Sequence, residues 1–292
     1  MIGVDFGGTR IKLGRVIDNR SVETTVVDTQ AASGPSEILD LIAESTLKLE
    51  ASPEAVGLAI PGVVSPEGFC WRLPNVPGFE GLNIADELHR RVGCRVVVEN
   101  DATTAALAEL HLGHGRAYSS FLVLTLGTGI GGGLVIDGRL RRGRQGFAGE
   151  VGHTPLRRSA DGWTCGCGLV GCLESYAGTQ ALLRLYAERG GHAVEIRPIA
   201  EAARKGESAA LFTFEEMGRA LGMGIAGIQN LLDLDAFVFT GGISASFDLL
   251  SGALRESLRH HAFAPPLAEV PLLVSGLGEQ CGVLGAAFLT TL

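Results

Sequence analysis

The chain has 292 residues, of which 46% are hydrophobic and 19% are charged, and its formal net charge is -8. This length and composition support large buried cores in more than one domain and exclude a disordered chain. The chain has a net negative charge and no long basic run, so it lacks the basic surface by which proteins bind nucleic acid or an anionic membrane. We therefore expect a small-molecule partner, no nucleic acid and no membrane.

The segment Ala117–Ile136 carries no charged residue and is long enough to suggest a transmembrane span. Because it contains five glycines together with several Ser and Thr residues, we interpret it as a buried hairpin. Met1 leads directly into an apolar strand, without a basic segment or an apolar signal core, so we expect a cytoplasmic protein.

A strand, a glycine-rich turn and a second strand open the chain. The strands are predicted at Ile2–Asp5 and Ile11–Ile17, with the turn FGGT between them. The same order returns with strands at Phe121–Leu126 and Gly131–Ile136 around the turn GTG. The segments VDFGGTRIKLGRVID and LTLGTGIGGGLVIDG therefore indicate an internal duplication.

Helical and strand patterns alternate after each of these units, which predicts two α/β domains. We place the first domain at residues 1–117 and the second at residues 118–292, with the closing helix, residues 280–292, packing back on the first. The other predicted elements are helices at Ser36–Leu49, Asn83–Arg91, Ala102–Leu110, Gly178–Arg189, Phe212–Leu232 and Gln280–Thr290, and strands at Ala55–Ile60, Arg95–Val98 and Ala236–Thr240.

The spacing Gly127-x-Gly129-x-x-Gly132 satisfies the dinucleotide-binding pattern, but a strand rather than a helix follows it. The sequence also lacks the Gly-Lys-Ser/Thr signature of a P-loop. What remains is a pair of hairpin turns whose backbone amides, with the hydroxyls of Thr9 and Thr128, could hold a triphosphate. A plain tight hairpin is the alternative for either turn.

The pair Gly241-Gly242 follows the predicted strand FVFT, at the carboxyl end where α/β proteins usually bind ligands. We predict a nucleoside contact at this pair. Glycine after a strand is also an ordinary turn, so both interpretations stay open here.

A histidine and three closely spaced cysteines have the composition of a structural zinc site. His153, Cys165, Cys167 and Cys172 offer one imidazole and three thiolates, a set suited to tetrahedral zinc with no open position. Glycines between the thiols allow the sharp turn that such a knuckle needs. The other three cysteines are scattered along the chain, which does not fit a disulfide scaffold. The alternative to a metal site is therefore three reduced cysteines in a glycine-rich loop.

Two carboxylates flank this cluster, since Glu150 lies three residues before His153 and Glu174 lies two residues after Cys172. A metal that orders the segment would also fix both carboxylates. Carboxylates in a rigid site are suited to accept sugar hydroxyls, whereas scattered glutamates are usually solvated. We therefore predict that both glutamates contact a sugar.

The segment VVVENDAT places Glu99, Asn100 and Asp101 at the end of an apolar strand, directly before an alanine-rich helix. Asp101 is predicted to accept the proton of an attacking hydroxyl, and Asn100 to orient the substrate. Either residue could instead simply cap the helix, and the two roles can coexist. Asn75, in the turn NVPG, is a further candidate amide, although this sequence is also ordinary turn chemistry.

The chain as a whole resembles the ROK family of sugar kinases and related repressors, through the ordered motifs DFGGTR, PGVV, LPNVPG, ENDA, LGTGIGGG, AGEVGH and CGCGLVGCLE. The resemblance implies an α/β, two-lobed, actin-like (ribonuclease H-like) ATPase fold with ATP and Mg²⁺ bound in a cleft between the lobes. It also suggests a homodimer. No helix-turn-helix pattern precedes Ile2, so we expect a kinase rather than a repressor.

The resemblance further implies a role for each candidate residue. Asp101 is the general base, and His153 uses one ring nitrogen for zinc and the other for a sugar hydroxyl. The implied sugar contacts are Asn75, Asn100, Asp101, Glu150, His153 and Glu174. The implied phosphate contacts are Asp5, Gly7, Gly8, Thr9, Gly127, Thr128 and Gly129, to which we add Lys12.

These roles predict that ATP phosphorylates a hexose at its 6-hydroxyl, with Asp101 activating the hydroxyl and Zn²⁺ bracing the sugar site. Glucose is the first choice, and fructose, mannose, N-acetylmannosamine and N-acetylglucosamine stay open. The rival classes are a non-catalytic sugar-binding regulator and an actin-like ATPase of the chaperone or filament kind. The arginine-rich run Arg139–Arg144 is interpreted as a solvated loop face.

Overall fold

The computed structural model describes residues 1–74, 76–157 and 161–292, and the chain divides into two compact units. Unit 1 comprises Met1–Val123, Gly133–Gly149 and Ser275–Leu292, and unit 2 comprises Leu124–Gly132 and Glu150–Val274. This division is more interrupted than the predicted boundary after residue 117, because the segment that begins at Gly133 packs closely within unit 1. A Cβ at Gly133 would lie 2.4 Å from the carbonyl oxygen of Ala102.

Strands and helices alternate along most of the described chain. The strands are β1 (Ile2–Phe6), β2 (Arg10–Ile17), β3 (Arg20–Asp28), β4 (Ala55–Ile60), β5 (Val63–Val64), β6 (Cys70–Arg72), β7 (Arg95–Asn100), β8 (Phe121–Leu126), β9 (Ile130–Ile136), β10 (Arg139–Arg141), β11 (Ala236–Thr240) and β12 (Leu272–Val274). The helices are α1 (Pro35–Leu49), α2 (Ile84–Val92), α3 (Asp101–Leu112), α4 (Glu174–Ala177), α5 (Thr179–Glu188), α6 (Ile196–Arg204), α7 (Ser208–Leu232), α8 (Phe247–His261), α9 (Pro265–Ala268) and α10 (Cys281–Leu289).

Two five-stranded sheets carry the fold, one with the order β3-β2-β1-β4-β7 and the other with the order β10-β9-β8-β11-β12. In the first sheet, β1 is antiparallel to β2 and parallel to β4, which is parallel to β7. In the second sheet, β9 is antiparallel to β10, and β11 is parallel to β12. Both sheets place a glycine-turn hairpin beside later parallel strands, which supports the duplication indicated by the sequence.

The uncharged segment Ala117–Ile136 contains β8 and β9, as its interpretation as a hairpin requires. Every residue of β8 except Thr125 is buried. Throughout the part of the chain that the structure describes, no helix combines the length and the apolar character needed to cross a membrane.

The core of unit 1 combines apolar side chains of β1, β2 and β4 with those of α1 and α2. Phe6 at the end of β1 packs on Phe79, with ring centroids 5.6 Å apart. Close packing of this kind restrains the strands on which it rests. The core therefore supports the ends of β1 and β7, near which Asp5 and Asp101 lie.

Helix α10 lies against β1 and β4 at two glycines. A Cβ at Gly3 would lie 2.0 Å from the carbonyl oxygen of Val283, and a Cβ at Gly57 would lie 1.7 Å from that of Ala286. Because no side chain fits in so little space, glycine at both positions lets the helix backbone approach the strands directly. Residues Val283–Leu289 of the helix are all buried.

Candidate functional site

Asp101 begins helix α3 immediately after β7 ends at Asn100. Asn100 caps this helix, because its side-chain oxygen accepts hydrogen bonds from the amides of Ala102 at 2.9 Å and Thr103 at 3.1 Å. Its side-chain nitrogen donates one hydrogen bond to the carbonyl oxygen of Gly62 at 3.0 Å. Asp101 is exposed, and its Oδ1 atom also accepts a hydrogen bond from the amide of Ala102 at 2.8 Å. Asn100 therefore holds two first-turn amides and Asp101 shares one of them.

Glu99 is a buried carboxylate that the sequence interpretation did not include in the site. The residue is 1% exposed, and the Nε atom of Arg142 forms an ion pair with one of its oxygens. Its other oxygen accepts a hydrogen bond from the amide of Asn100 at 2.9 Å. Burial raises the pKa of Glu99, and the charge of Arg142 opposes that shift. The interpretation of the arginine-rich run as a solvated face is therefore wrong for Arg142.

The first glycine turn joins β1 to β2 and is braced by Thr29. The amide of Gly7 donates to the carbonyl oxygen of Arg10 at 3.0 Å, and the hydroxyl of Thr29 donates to the carbonyl oxygen of Gly7 at 2.6 Å. The amide of Thr29 also donates to the carbonyl oxygen of Thr9 at 2.9 Å. Thr9 itself is exposed, and Gly8 is half-buried. The turn is thus a fixed backbone structure with an accessible hydroxyl.

Asp5 lies on β1 opposite Lys12 of β2 in the strand register. Burial raises the pKa of Asp5, and the charge of Lys12 lowers it in part. Helix α10 approaches the same carboxylate, since a Cβ at Gly282 would lie 2.5 Å from Oδ2 of Asp5. The structure thus brings together two of the predicted phosphate contacts, and the carboxylate of Asp5 supplies the hard oxygen ligands that Mg²⁺ prefers.

The second glycine turn joins β8 to β9 in unit 2. The amide of Gly127 donates to the carbonyl oxygen of Gly129 at 3.0 Å. Thr179 holds the turn from α5, because its hydroxyl and its amide donate to the carbonyl oxygen of Gly127 at 2.8 and 3.1 Å. Thr128 at the tip is exposed. This turn resembles the first one in having a braced backbone and an accessible threonine.

Glu174 connects this turn to the metal-ligand segment. Its Oε2 atom accepts a hydrogen bond from the amide of Ile130 at 3.0 Å, and its Oε1 atom lies 3.3 Å from Sγ of Cys165. A Cβ at Gly129 would lie 2.2 Å from Oε2 of Glu174. The absence of a side chain at Gly129 therefore makes room for this carboxylate.

The four predicted metal ligands, His153, Cys165, Cys167 and Cys172, lie together with all their donor atoms within 4.8 Å of one another. The sulfurs of Cys167 and Cys172 are 3.7 Å apart, and Sγ of Cys165 lies 3.7 Å from Nδ1 of His153. In a tetrahedral site with zinc–sulfur bonds of about 2.3 Å, two sulfur ligands are about 3.8 Å apart. The donor set and its spacing therefore fit a closed zinc site.

The glycines of this segment form the predicted knuckle. Gly168 and Gly171 have φ angles of 90° and 82°, which a residue with a side chain rarely adopts. The amide of Cys165 donates to the carbonyl oxygen of Leu169 at 2.8 Å, and the amide of Gly168 donates to that of Cys165 at 2.9 Å. The backbone thus directs the thiols without help from a disulfide.

The segment Glu150-x-Gly152-His153 packs beside the second glycine turn. A Cβ at Gly152 would lie 2.2 Å from the carbonyl oxygen of Ile130. Nε2 of His153 lies 3.8 Å from Oε2 of Glu150, so one ring nitrogen faces the cysteines and the other faces the glutamate. Burial raises the pKa of Glu150, with His153 lowering it and Glu174 raising it further.

Within unit 2, the structure therefore brings Glu150, His153 and Glu174 together with the turn at residues 127–129. Within unit 1, it brings Asp5 close to Lys12, and Asn100 next to Asp101. The predicted sugar contact Asn75 lies outside the described residues.

The third glycine pair follows β11, and only its first member is conformationally constrained. Gly241 has a φ angle of 89°, and a Cβ there would lie 2.5 Å from the carbonyl oxygen of Leu126. At Gly242, by contrast, a Cβ would meet nothing within 4 Å. Close packing against β8 therefore explains Gly241 without a ligand, while Gly242 has space beside it.

This contrast gives a matched pair of substitutions. Gly241→Ala is expected to lower the free energy of unfolding by about 1–3 kcal/mol, because it introduces backbone strain and a steric clash. Gly242→Ala is expected to change that free energy by less than about 0.5 kcal/mol. Thermal and urea denaturation of both variants measures the difference, and equal stability of the two would contradict this account of Gly241.

A family model described as the ROK family matches residues 1–291. The chain belongs to the ROK family. Glucokinase from Thermotoga maritima is 34% identical to this ROK chain, over 98% of this chain and 96% of its own length. The N-acetylgalactosamine kinase of a Shewanella species is also 34% identical, over 98% of this chain and 95% of its own length.

A solved structure gives the corresponding comparison in three dimensions. The crystal structure of a ROK family glucokinase from Streptomyces griseus in complex with glucose and AMPPNP matches with a TM-score of 0.84 and 35% identity, covering 99% of this chain and 98% of that one. This likeness confirms the predicted α/β, actin-like (ribonuclease H-like) fold class for this ROK chain.

Proposed function

We propose that this chain transfers the γ-phosphoryl group of ATP to the 6-hydroxyl of a hexose, with glucose as the first candidate. Its membership in the ROK family and its similarity to glucokinases support an ATP-dependent hexose kinase. The observation that carries the mechanism is the exposed carboxylate of Asp101 on a helix start that Asn100 caps. An exposed carboxylate on a fixed backbone is suited to receive a substrate proton.

Asp101 accepts the proton of the sugar hydroxyl as its oxygen attacks the γ-phosphorus of ATP, and the bond from that phosphorus to the β,γ-bridging oxygen breaks. Positioning contributes most to such a reaction, because phosphoryl transfer requires little covalent chemistry from the protein. Asn100 supports this positioning through its cap and its hydrogen bond to Gly62. Its amide nitrogen carries a second hydrogen, which we assign to the sugar.

The two glycine turns supply the proposed phosphate contacts. In unit 1 these are the backbone at Gly7, Gly8 and Thr9, together with Lys12, and in unit 2 they are Gly127, Thr128 and Gly129. Accessible threonine hydroxyls and unhindered amides suit anionic oxygens. Mg²⁺, which Asp5 would hold through its carboxylate, neutralises phosphate charge when bound. We assign the predicted nucleoside contact of the pair to Gly242, beside which a Cβ would meet nothing within 4 Å, whereas Gly241 serves the packing.

In unit 2, we assign the sugar hydroxyl contacts to Glu150, Glu174 and Nε2 of His153. The metal ligands offer no open coordination position, so zinc bound there would be structural. Glu174 also touches Cys165, which links the proposed sugar contacts to the metal ligands. The homodimer expected from the family resemblance stays a prediction.

The sugar is tested by measuring ADP release with a panel of hexoses. Glucose is expected to give the highest kcat/KM, with mannose, fructose and the N-acetylated hexosamines below it. The similarity to an N-acetylgalactosamine kinase makes that sugar a necessary member of the panel. Phosphorus NMR of the product determines whether the phosphate is on the 6-oxygen.

Two other outcomes would change the proposal. Highest activity with an N-acetylated sugar would keep the kinase and replace glucose as its substrate. Sugar binding measured by calorimetry, without turnover of any panel member, would instead indicate the non-catalytic regulator.

A further inference from the structure

The pairing of Glu99 with Arg142 joins two parts of unit 1 that are distant in sequence. The side chain of Glu99 is 2% exposed and that of Arg142 is 22% exposed. One carboxylate oxygen contacts Nε of Arg142, and the other accepts a hydrogen bond from the amide of Asn100. Nη2 of Arg142 also lies 3.5 Å from the carbonyl oxygen of Val98. The guanidinium thus contacts the backbone on one side of Glu99, and the carboxylate contacts the backbone on the other.

We propose that Glu99 and Arg142 are positioning residues for Asp101. The carboxylate of Glu99 fixes the peptide group that leads into Asn100, and Asn100 caps the helix on which Asp101 is the first residue. Arg142 in turn fixes the carboxylate. The inference rests on the proposed function, because it assigns the pair a role in placing the general base.

The pair is poorly suited to a role in stability alone. Removing a carboxylate and a guanidinium from water costs free energy that their attraction offsets only with good geometry and further hydrogen bonds. Apolar side chains of similar volume often stabilise such a position equally well. A charged pair whose carboxylate binds the backbone amide of the helix cap adds a directional restraint that apolar packing lacks.

Arg142 also lies in a loop with a restrained backbone. The amide of Ala148 donates to the carbonyl oxygen of Arg142 at 3.1 Å, and a Cβ at Gly146 would lie 2.2 Å from the carbonyl oxygen of Val64. The chain then continues directly into Glu150, a proposed sugar contact. Arg142 therefore restrains the backbone near Asp101 and also belongs to the loop that precedes Glu150 in the chain.

Arg142→Met is the decisive variant, with Arg142→Lys as the conservative replacement and Arg141→Met as the matched control. Arg141 is in the same run, and its side chain is 44% exposed beside Asp137. We expect Arg142→Met to lower kcat by about 10- to 100-fold, with the KM for ATP changed less than about threefold. Arg142→Lys should recover part of kcat, and Arg141→Met should match the unaltered chain. In a Glu99→Gln, Arg142→Met double variant, kcat should fall no further than it does in the single variant with the larger loss.

Amide hydrogen exchange gives a readout that does not depend on kinase activity. Arg142→Met should speed exchange at residues 100–104 relative to residues 105–112 of the same helix, while Arg141→Met should not. Normal kcat in a folded Arg142→Met chain, or uniform exchange along the helix, would overturn the positioning role. If the unaltered chain phosphorylates no sugar, the proposed function fails, and the exchange pattern alone decides whether the pair positions the helix start.

Discussion

Asp101→Asn is expected to lower kcat for hexose phosphorylation by about 10²- to 10⁴-fold, the range usual for loss of a general base. The amide has nearly the same shape as the carboxylate but does not accept the proton of the attacking hydroxyl. Asn100 accepts hydrogen bonds from two amides of the first turn, and the side-chain oxygen of the substituted residue can still accept the one that Oδ1 of Asp101 receives from Ala102, so the helix start should persist. Steady-state kinetics with saturating ATP measures the change, and the KM for the sugar should stay within about threefold.

Asp86→Asn is the matched control for this substitution. Asp86 is in the first turn of α2, so its replacement also removes a negative charge from a helix start in unit 1. It should leave kcat unchanged, because no proposed substrate contact includes it. A kcat near normal in Asp101→Asn would contradict the assignment of Asp101 as the general base. Equal losses of kcat in Asp101→Asn and Asp86→Asn would indicate a general electrostatic effect.

Loss of the metal is expected to weaken sugar binding more than ATP binding. Purified protein should contain about one zinc per chain, as a closed four-ligand site predicts. Cys172→Ser should lower this content and raise the KM for the hexose by about tenfold or more. Mutations in the surroundings of a bound metal commonly lower metal affinity or activity by about 10- to 100-fold. The physical reason is that each glutamate proposed to bind the sugar lies beside a metal ligand. Glu174 lies beside Cys165, and Glu150 lies beside His153.

ATP contacts should survive this change in part. The carbonyl oxygen of Gly127 accepts both hydrogen bonds of Thr179 without help from the side chain of Glu174, so the turn should keep its backbone structure. Elemental analysis and separate KM measurements for the two substrates make the comparison, and Cys94→Ser, outside the cluster, is the control. Equal weakening of sugar and ATP binding would contradict the assignment of the sugar contacts to the residues beside the metal. Purified protein that contains no zinc would support the alternative of three reduced cysteines in a glycine-rich loop.

The sequence predicts those parts of the site whose residues are close along the chain. His153 and the three cysteines lie within a short segment, so their spacing alone indicates the metal site that their geometry fits. The pairing of Glu99 with Arg142 spans 43 residues and depends on how β7 and the loop after β10 meet in three dimensions. No local pattern distinguishes Arg142 from the exposed arginines beside it.

Strand β3 and helix α8 are among the elements that were not predicted from the sequence. Strand β3 lies at the edge of its sheet and every one of its residues is exposed or half-buried, Val22 and Val26 being exposed, so its sequence lacks a buried alternating face. Helix α8, by contrast, repeats buried leucines at Leu250, Leu254 and Leu258, a spacing typical of an amphipathic helix, so this element was predictable from the sequence. The roles of Gly129 and Gly152 follow from tertiary contacts, because each makes room for an atom of another segment.

The position of α10 also affects how unit 1 matures during synthesis. Strands β1 and β4 emerge early, yet Gly3 and Gly57 are fitted to a helix backbone near the end of the chain. The contiguous stretch Glu150–Val274 of unit 2 is translated before that helix. Because domains generally fold as their residues become available, the whole of unit 2 can fold first, while unit 1 reaches its final packing only once translation has reached α10.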